Sequence, residues 1–293
     1  MSPAVGSTLP ASVRVDVGEG GLALVRVSTP SASAEVYLQG AHVASWMPAG
    51  QQPVLWMSAE SRYAPGAPLR GGVPVCFPWF GPAPTGDGPL HGFARTAQWT
   101  LVEAAERGAD VVLTFALEGP DLFEARYEVS VGTELGLRFE VSNVGAVPLT
   151  YAEAFHTYLA VSDVQQAAIT GLEHAPFVDR LHRDRAEPAA GEPLRLTGET
   201  ERLYPQPGRV VVHDPTGGRD LVVDATGSAD TVVWNPWTAK SASMPDFGDD
   251  EWTGMVCVET GNVHEHALTL DAGSSHAMTT TISVATTPPR QRA

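Results

Sequence analysis

Five segments of this chain join loop-forming residues to aromatic and ionisable side chains. They are Leu69–Gly81 (LRGGVPVCFPWFG), Leu90–Arg95 (LHGFAR), Ala154–Tyr158 (AFHTY), Val233–Phe247 (VWNPWTAKSASMPDF) and Cys257–His264 (CVETGNVH). Glu259 closes the apolar run Met255–Val258, where partial desolvation would raise a carboxyl pKa toward the range of a base working at neutral pH. His156 lies among Tyr151, Phe155 and Tyr158, and imidazole is the side chain whose ordinary pKa lets it give and recover a proton near pH 7. Arg70 and Arg95 flank glycine-bearing turns, where backbone can approach a ligand and a planar guanidinium can fork onto phosphate oxygens. Each also has a plain structural alternative: a solvated strand end for Glu259, a core imidazole for His156, and salt bridges for the two arginines.

Other residues allow rival chemistry. His264-Glu265-His266 would place two imidazoles on one face if it were a strand, as in cupin-type metal sites. A glycoside hydrolase would need two opposed carboxylates, and Glu259 with Glu153 is the available pair. Trp79, Phe80, Trp234 and Trp237 could wall a small-molecule site, with Trp237, between Pro236 and a polar loop, expected to be the most exposed. Lys240 lies in that loop and could hold it or screen a phosphate.

The elements that must position these groups are short strands. Period-2 or β-branched runs occur at Val13–Val17, Ala34–Leu38, Val111–Leu117, Tyr127–Val131, Leu137–Val141, Arg209–His213, Leu221–Asp224, Thr231–Trp234, Met255–Glu259, Ala267–Leu270 and Ala277–Val284. Gly- and Pro-bearing turns separate them and helical period is scarce, so the pattern predicts an all-β sandwich or barrel. The 293 residues contain no Pro/Ser/Gly linker dividing two composition zones, so residues 1–293 are expected to form a single domain with a core from about 13 to 284. Leu172–Gln206 is the least patterned stretch and reads as a long loop or excursion over one face, and Thr286–Ala293 as a frayed tail.

Eighteen Lys and Arg stand against 34 Asp and Glu, a formal charge of −16. That balance lacks the footprint of a nucleic-acid binder and opposes an anionic membrane surface, so any anion must be held by a few placed arginines. Met1–Ser12 lacks the basic and apolar regions of a signal peptide, and Val73–Pro82 is short and interrupted by prolines, which together predict a cytoplasmic protein. Cys76 and Cys257 sit among apolar neighbours without metal-ligand spacing and are expected to be reduced core thiols.

Taken in order, the motifs RGGVP…FPWFG, HGFAR, FHTY, VVWNPW and C-x-E-x-G-x-V-H resemble the hexose-6-phosphate mutarotase branch of the aldose 1-epimerase family, over about residues 13–284. The resemblance implies an antiparallel, galactose-mutarotase-like β-sandwich that interconverts α and β anomers of a phosphosugar, glucose 6-phosphate foremost, as a monomer without metal or cofactor. It implies Glu259 as general base, His156 as the acid toward the ring oxygen, Arg70 and Arg95 on the phosphate, and His91 near the sugar ring oxygens. Glu201 falls where relatives usually carry an Asp that accepts from a sugar hydroxyl, one methylene shorter. Leu90 replaces a polar side chain found in some relatives. An aldose 1-epimerase for unphosphorylated sugars and a non-catalytic sugar-binding sandwich are the competing expectations.

Overall fold

The computed structural model describes residues 9–117, 119 and 122–286, so the remainder of the expected tail beyond Thr286, and the first eight residues, lie outside the described part. Strands dominate, and every strand pairing is antiparallel, apart from one isolated bridge between Phe77 and Gly92. A four-stranded meander runs through Val13–Val17, Ala23–Ser28, Ala32–Tyr37 and His42–Pro48. Two eight-stranded sheets follow. The first is ordered Ala168–Thr170, Val210–Asp214, Arg219–Thr226, Ser275–Thr286, Leu135–Asn143, Phe123–Val131, Asp110–Leu117 and Thr100–Arg107. The second, which carries the site, runs Arg185–Glu187, Phe177–Asp179, Thr200–Tyr204, Asp230–Asn235, Met255–Asn262, Glu153–Phe155 and Val75–Cys76, with Tyr158–Ala160 also on Met255–Asn262.

One cluster of buried side chains joins these three sheets and the small pair Leu149–Tyr151 and Leu268–Leu270. The alternating strands Phe123–Val131 and Leu135–Asn143 turn every second residue into it, as a pleat with one buried face must. Aromatic edges lock the layers together. Phe77 meets Phe139 at 5.3 Å between centroids, and Tyr127 meets Phe155 at 5.5 Å, within the range that favours tilted rings.

Two features depart from the sequence reading. Thr100–Arg107 is an edge strand, although its Glu- and Ala-rich composition has little β preference. Leu101 and Ala104 are buried, with a bulge between Leu101 and Glu103 resetting the pleat, so tertiary burial outweighs local propensity. Leu172–Gln206 is not simply a loop over a face: Phe177–Asp179, Arg185–Glu187 and Thr200–Tyr204 extend the site sheet at one edge. The only α-helix among the described residues is Trp237–Ser243, and no helix there is long and apolar enough to cross a membrane.

Candidate active site

The central strand Met255–Asn262 is buried at all eight positions. On one side it pairs with Asp230–Asn235, on the other with Glu153–Phe155 and then Tyr158–Ala160. Phe155 lies opposite Thr260 and Tyr158 opposite Cys257. The register is thus unbroken across the gap between the two short strands, where the Val258 N–H donates to the Thr157 carbonyl at 3.2 Å. His156 therefore stands directly opposite Glu259. Strand alternation puts Phe155, Thr157, Val258 and Thr260 on the core face, and His156, Tyr158, Cys257 and Glu259 on the other.

That outer face floors a cleft of about 670 Å³, lined among others by Arg70, His91, Glu201, Trp234 and the His156–Glu259 pair. The volume is that of a small-molecule site. His156 Nε2 lies 3.5 Å from Glu259 Oε1, close enough to exchange a proton after slight adjustment but long for a resting hydrogen bond. The imidazole is stacked on Tyr158 at 4.8 Å and meets Trp234 edge-on at 5.9 Å. Burial pushes the Glu259 carboxyl well above its ordinary range, with the nearby Glu201 adding to the rise, and it pushes His156 well below its own. Both shifts favour the neutral forms. Glu259 Oε2 and His156 Nδ1 meet no hydrogen-bond partner among the described residues.

His91 comes from the Leu90–Arg95 turn. Its backbone is left-handed, φ 60°, and Gly92 follows at φ 75°. A Cβ on Gly92 would sit 2.0 Å from the Phe77 carbonyl oxygen, so only glycine lets this turn press against the segment that follows strand Val75–Cys76. The His91 N–H donates to the Gly81 carbonyl at 2.7 Å, and its Nδ1 accepts from the Gly81 N–H at 3.2 Å. With Nδ1 used as an acceptor, the proton of the neutral ring sits on Nε2. Burial lowers this imidazole to about 3, assisted by Arg95 and Arg70, which keeps it neutral.

Arg70 is held by three bonds: Nη1 donates to the Tyr158 hydroxyl at 3.0 Å, and Nη2 donates to both Asp246 oxygens at 3.2 and 3.0 Å. It is thus fixed beside His156 with a carboxylate already on one edge. Arg95 is placed differently. Its Nη2 donates to the Leu90 carbonyl at 2.7 Å, bracing the His91 turn from behind, and it is not among the residues that line the cleft. Glu201, opposite Trp234 on the neighbouring strand, lines the cleft half-buried. Burial raises its carboxyl, opposed by Arg180 and Lys240.

Arg62 and Arg180 also line the cleft and were not singled out by motif reading. Arg180 lies in the charged run 180–187 of the sheet-edge excursion and pairs with Asp184 at 3.0 Å; only its charge marked it in the sequence. Arg62 carried no such signal. Lys240, Phe80 and Trp234 line the cleft as well, whereas Trp79 and Trp237 do not. Trp79 donates to the Pro89 carbonyl at 2.9 Å. Trp237, expected to be the most exposed, is half-buried like the other three and packs on Trp252 at 4.2 Å.

The rival constellations are not assembled. His264–His266 is a 3-10 turn, not a strand, so its imidazoles diverge: His264 lines the cleft beside Phe80, while His266 pairs with Asp230 at 2.7 Å. Glu153 stands opposite Asn262 and accepts from its amide at 2.9 Å. Strand alternation gives it the core side of the sheet, opposite to Glu259, so the two carboxylates cannot flank one glycosidic bond. Cys76 and Cys257 are buried free thiols.

Comparison with known proteins bears on the same arrangement. The family model described as aldose 1-epimerase matches residues 23–283. The chain belongs to the aldose 1-epimerase family. Among its relatives, the protein named "Putative glucose-6-phosphate 1-epimerase" of Escherichia coli strain K12 is 34% identical over 249 residues, spanning 83% of this chain and 84% of that protein. The like-named protein of Salmonella typhimurium is 36% identical over 249 residues, 82% and 83% of the two chains. A Salmonella typhimurium crystal structure described as a "putative mutarotase" superposes with a TM-score of 0.89 at 31% identity, covering 97% of both chains. The aldose 1-epimerase fold is therefore shared through nearly the whole length, and this member is an all-β enzyme of the mutarotase type.

Proposed function

We propose that this protein interconverts the α and β anomers of hexose 6-phosphates, with glucose 6-phosphate the first substrate to test. The observation that carries this reading is the buried His156–Glu259 pair on the floor of a cleft rimmed by Arg62, Arg70, Arg180 and Lys240, in a chain of net charge −16. Mutarotation needs one base for the anomeric hydroxyl and one acid for the ring oxygen, and each positioned group contributes about 10²–10⁴-fold.

In the forward step Glu259 takes the O1 proton, the C1–O5 bond breaks, and His156 gives its proton to O5. Rotation about the C1–C2 bond presents the other face of the aldehyde. His156 then takes the O5 proton as O5 attacks C1, and Glu259 returns a proton to O1. The charged pair and the neutral pair contain the same number of protons and differ by one transfer over a 3.5 Å separation. Either tautomer therefore supplies one donor and one acceptor, and the reaction returns the pair to its starting state.

Arg70 is the phosphate contact best fixed in place, since Asp246 and Tyr158 orient it before substrate arrives. Arg180 and Lys240 add positive charge across the cleft, beside Glu201, which accepts from a sugar hydroxyl. Neutral His91 donates from Nε2 to a sugar oxygen. Arg95 holds the turn that carries His91 through its bond to the Leu90 carbonyl. All these groups come from one chain, so a monomer suffices.

One observation favours a second reading. The Asp246 carboxylate already balances Arg70, which would suit an uncharged sugar. Two-dimensional NMR exchange between anomeric protons, run on glucose 6-phosphate and on free galactose with EDTA in both, separates the two. Strong acceleration for the phosphosugar alone supports the proposal, whereas equal acceleration moves the substrate class to unphosphorylated aldoses. No acceleration for either sugar overturns the catalytic reading.

A further inference from the structure

The outer face of the central strand holds one reactive group that mutarotation does not use. Cys257 precedes Glu259 by two residues and projects from the same face, opposite Tyr158. Ligand atoms of His156, Cys257 and Glu259 all lie within 4.8 Å of one another, and all three residues are buried. Around a zinc-sized ion, bonds of about 2.0–2.3 Å place neighbouring ligand atoms roughly 3.3–3.8 Å apart. The His156–Glu259 separation of 3.5 Å already meets that spacing. Gathering the three atoms to that spacing takes at most a shift of roughly 1 Å.

Two further features point to a ligand. Glu259 is 2% exposed, yet its Oε2 has no hydrogen-bond partner among the described residues. The cleft is lined by His156 and Glu259 but not by Cys257, so a fourth ligand, water, would reach the ion from the cleft side. Imidazole, thiolate and carboxylate together form a borderline-to-soft donor set, suited to zinc-group ions and poorly suited to Mg²⁺ or Ca²⁺.

We propose that His156, Cys257 and Glu259 form an inhibitory binding site for a zinc-group divalent cation, Zn²⁺ or Cd²⁺. Binding displaces the Cys257 thiol proton to solvent and forms a metal–thiolate bond. It also occupies the lone pairs that the imidazole and carboxylate use to move protons, so metal and turnover exclude one another. The inhibition rests on the proposed catalytic pair; the binding does not.

Cd²⁺ titrated into the full-length, EDTA-treated and buffer-exchanged protein provides the test, because a cadmium–thiolate bond has its own ultraviolet charge-transfer band. One equivalent should raise that band in the unaltered protein and in Cys76→Ser, and raise none in Cys257→Ser. Glu259→Gln should weaken binding at least tenfold. In parallel, Cd²⁺ should slow glucose 6-phosphate mutarotation at least tenfold relative to the metal-free rate, reversibly with EDTA, and the slowing should be largely lost in Cys257→Ser relative to that variant's own metal-free rate. Absence of a thiolate band, or a band that survives Cys257→Ser and disappears in Cys76→Ser, overturns the site. A band that leaves mutarotation untouched overturns the inhibitory role. Cadmium binding through Cys257 in a protein with no metal-free mutarotation would instead overturn the proposed function while leaving the metal site standing.

Discussion

His156 and Glu259 face each other across two hydrogen-bonded strands, with Nε2 and Oε1 3.5 Å apart. Directly opposed residues in an antiparallel pair share a face and have Cβ atoms about 4.5–5.5 Å apart. The pair is thus set by the rigid part of the fold, not by a loop that must close. Glu259→Gln and His156→Asn should each lower kcat for glucose 6-phosphate mutarotation by about 10²–10⁴-fold. On the proposed proton relay, the double variant should be hardly slower than the worse single one. NMR exchange rates of the three variants check this, and fully multiplicative losses would show that the groups act independently.

Charge in the cleft should separate phosphorylated from free sugars. Replacing Arg180, whose partner Asp184 is largely exposed, by Ala should raise KM for glucose 6-phosphate roughly tenfold or more, the scale of one charge-assisted hydrogen bond. Free glucose, which lacks the phosphate, should show less than a twofold change. Equal effects on both sugars would assign Arg180 to holding the sheet edge.

The turn carrying His91 depends on Gly92. An added Cβ would lie 2.0 Å from the Phe77 carbonyl oxygen at a φ of 75°, so Gly92→Ala should destabilise the fold by about 1–3 kcal/mol and displace His91. Urea midpoints and kcat measured on the same sample should both fall. Unchanged midpoints would mean that the loop yields at little cost.

Buried His42 sets an acid limit on stability. Burial lowers its pKa from 6.5 to about 3, so below pH 6.5 the unfolded chain takes up a proton that the folded chain refuses. Stability from this group is complete above pH 6.5 and is lost as pH falls toward 3. Between pH 7 and pH 5 the loss approaches about 2 kcal/mol, at about 1.36 kcal/mol per pH unit. In His42→Met the drop in unfolding free energy between these two pH values should be smaller by that amount, as read from urea unfolding. An equal drop would show that His42 is protonated in the folded state.

Much of this protein is legible in its sequence, because strand type is a local property. Alternation in Phe123–Val131 and Leu135–Asn143 and the β-branched run at the start of Met255–Asn262 follow from side-chain period and burial. The segments holding Glu259, His156, His91, Arg70 and Glu201 could be picked out by residue type and motif, and all five side chains line one cleft. Thr100–Arg107 was not legible, since a neighbouring strand and the core beneath it overrule its composition.

What the chain alone could not decide is pairing. Whether Glu153 or His156 shares a face with Glu259 depends on a register set between segments about a hundred residues apart, and one step of slip would exchange them. Likewise, only the folded edge of the sheet carries Arg180 to the cleft, and only packing turns Arg95 onto a backbone carbonyl and Trp237 onto Trp252. Residue types and local periods are written along the chain. The distances between them arise from long-range hydrogen-bonded pairing and shared burial, to which every strand of the sheet contributes at once.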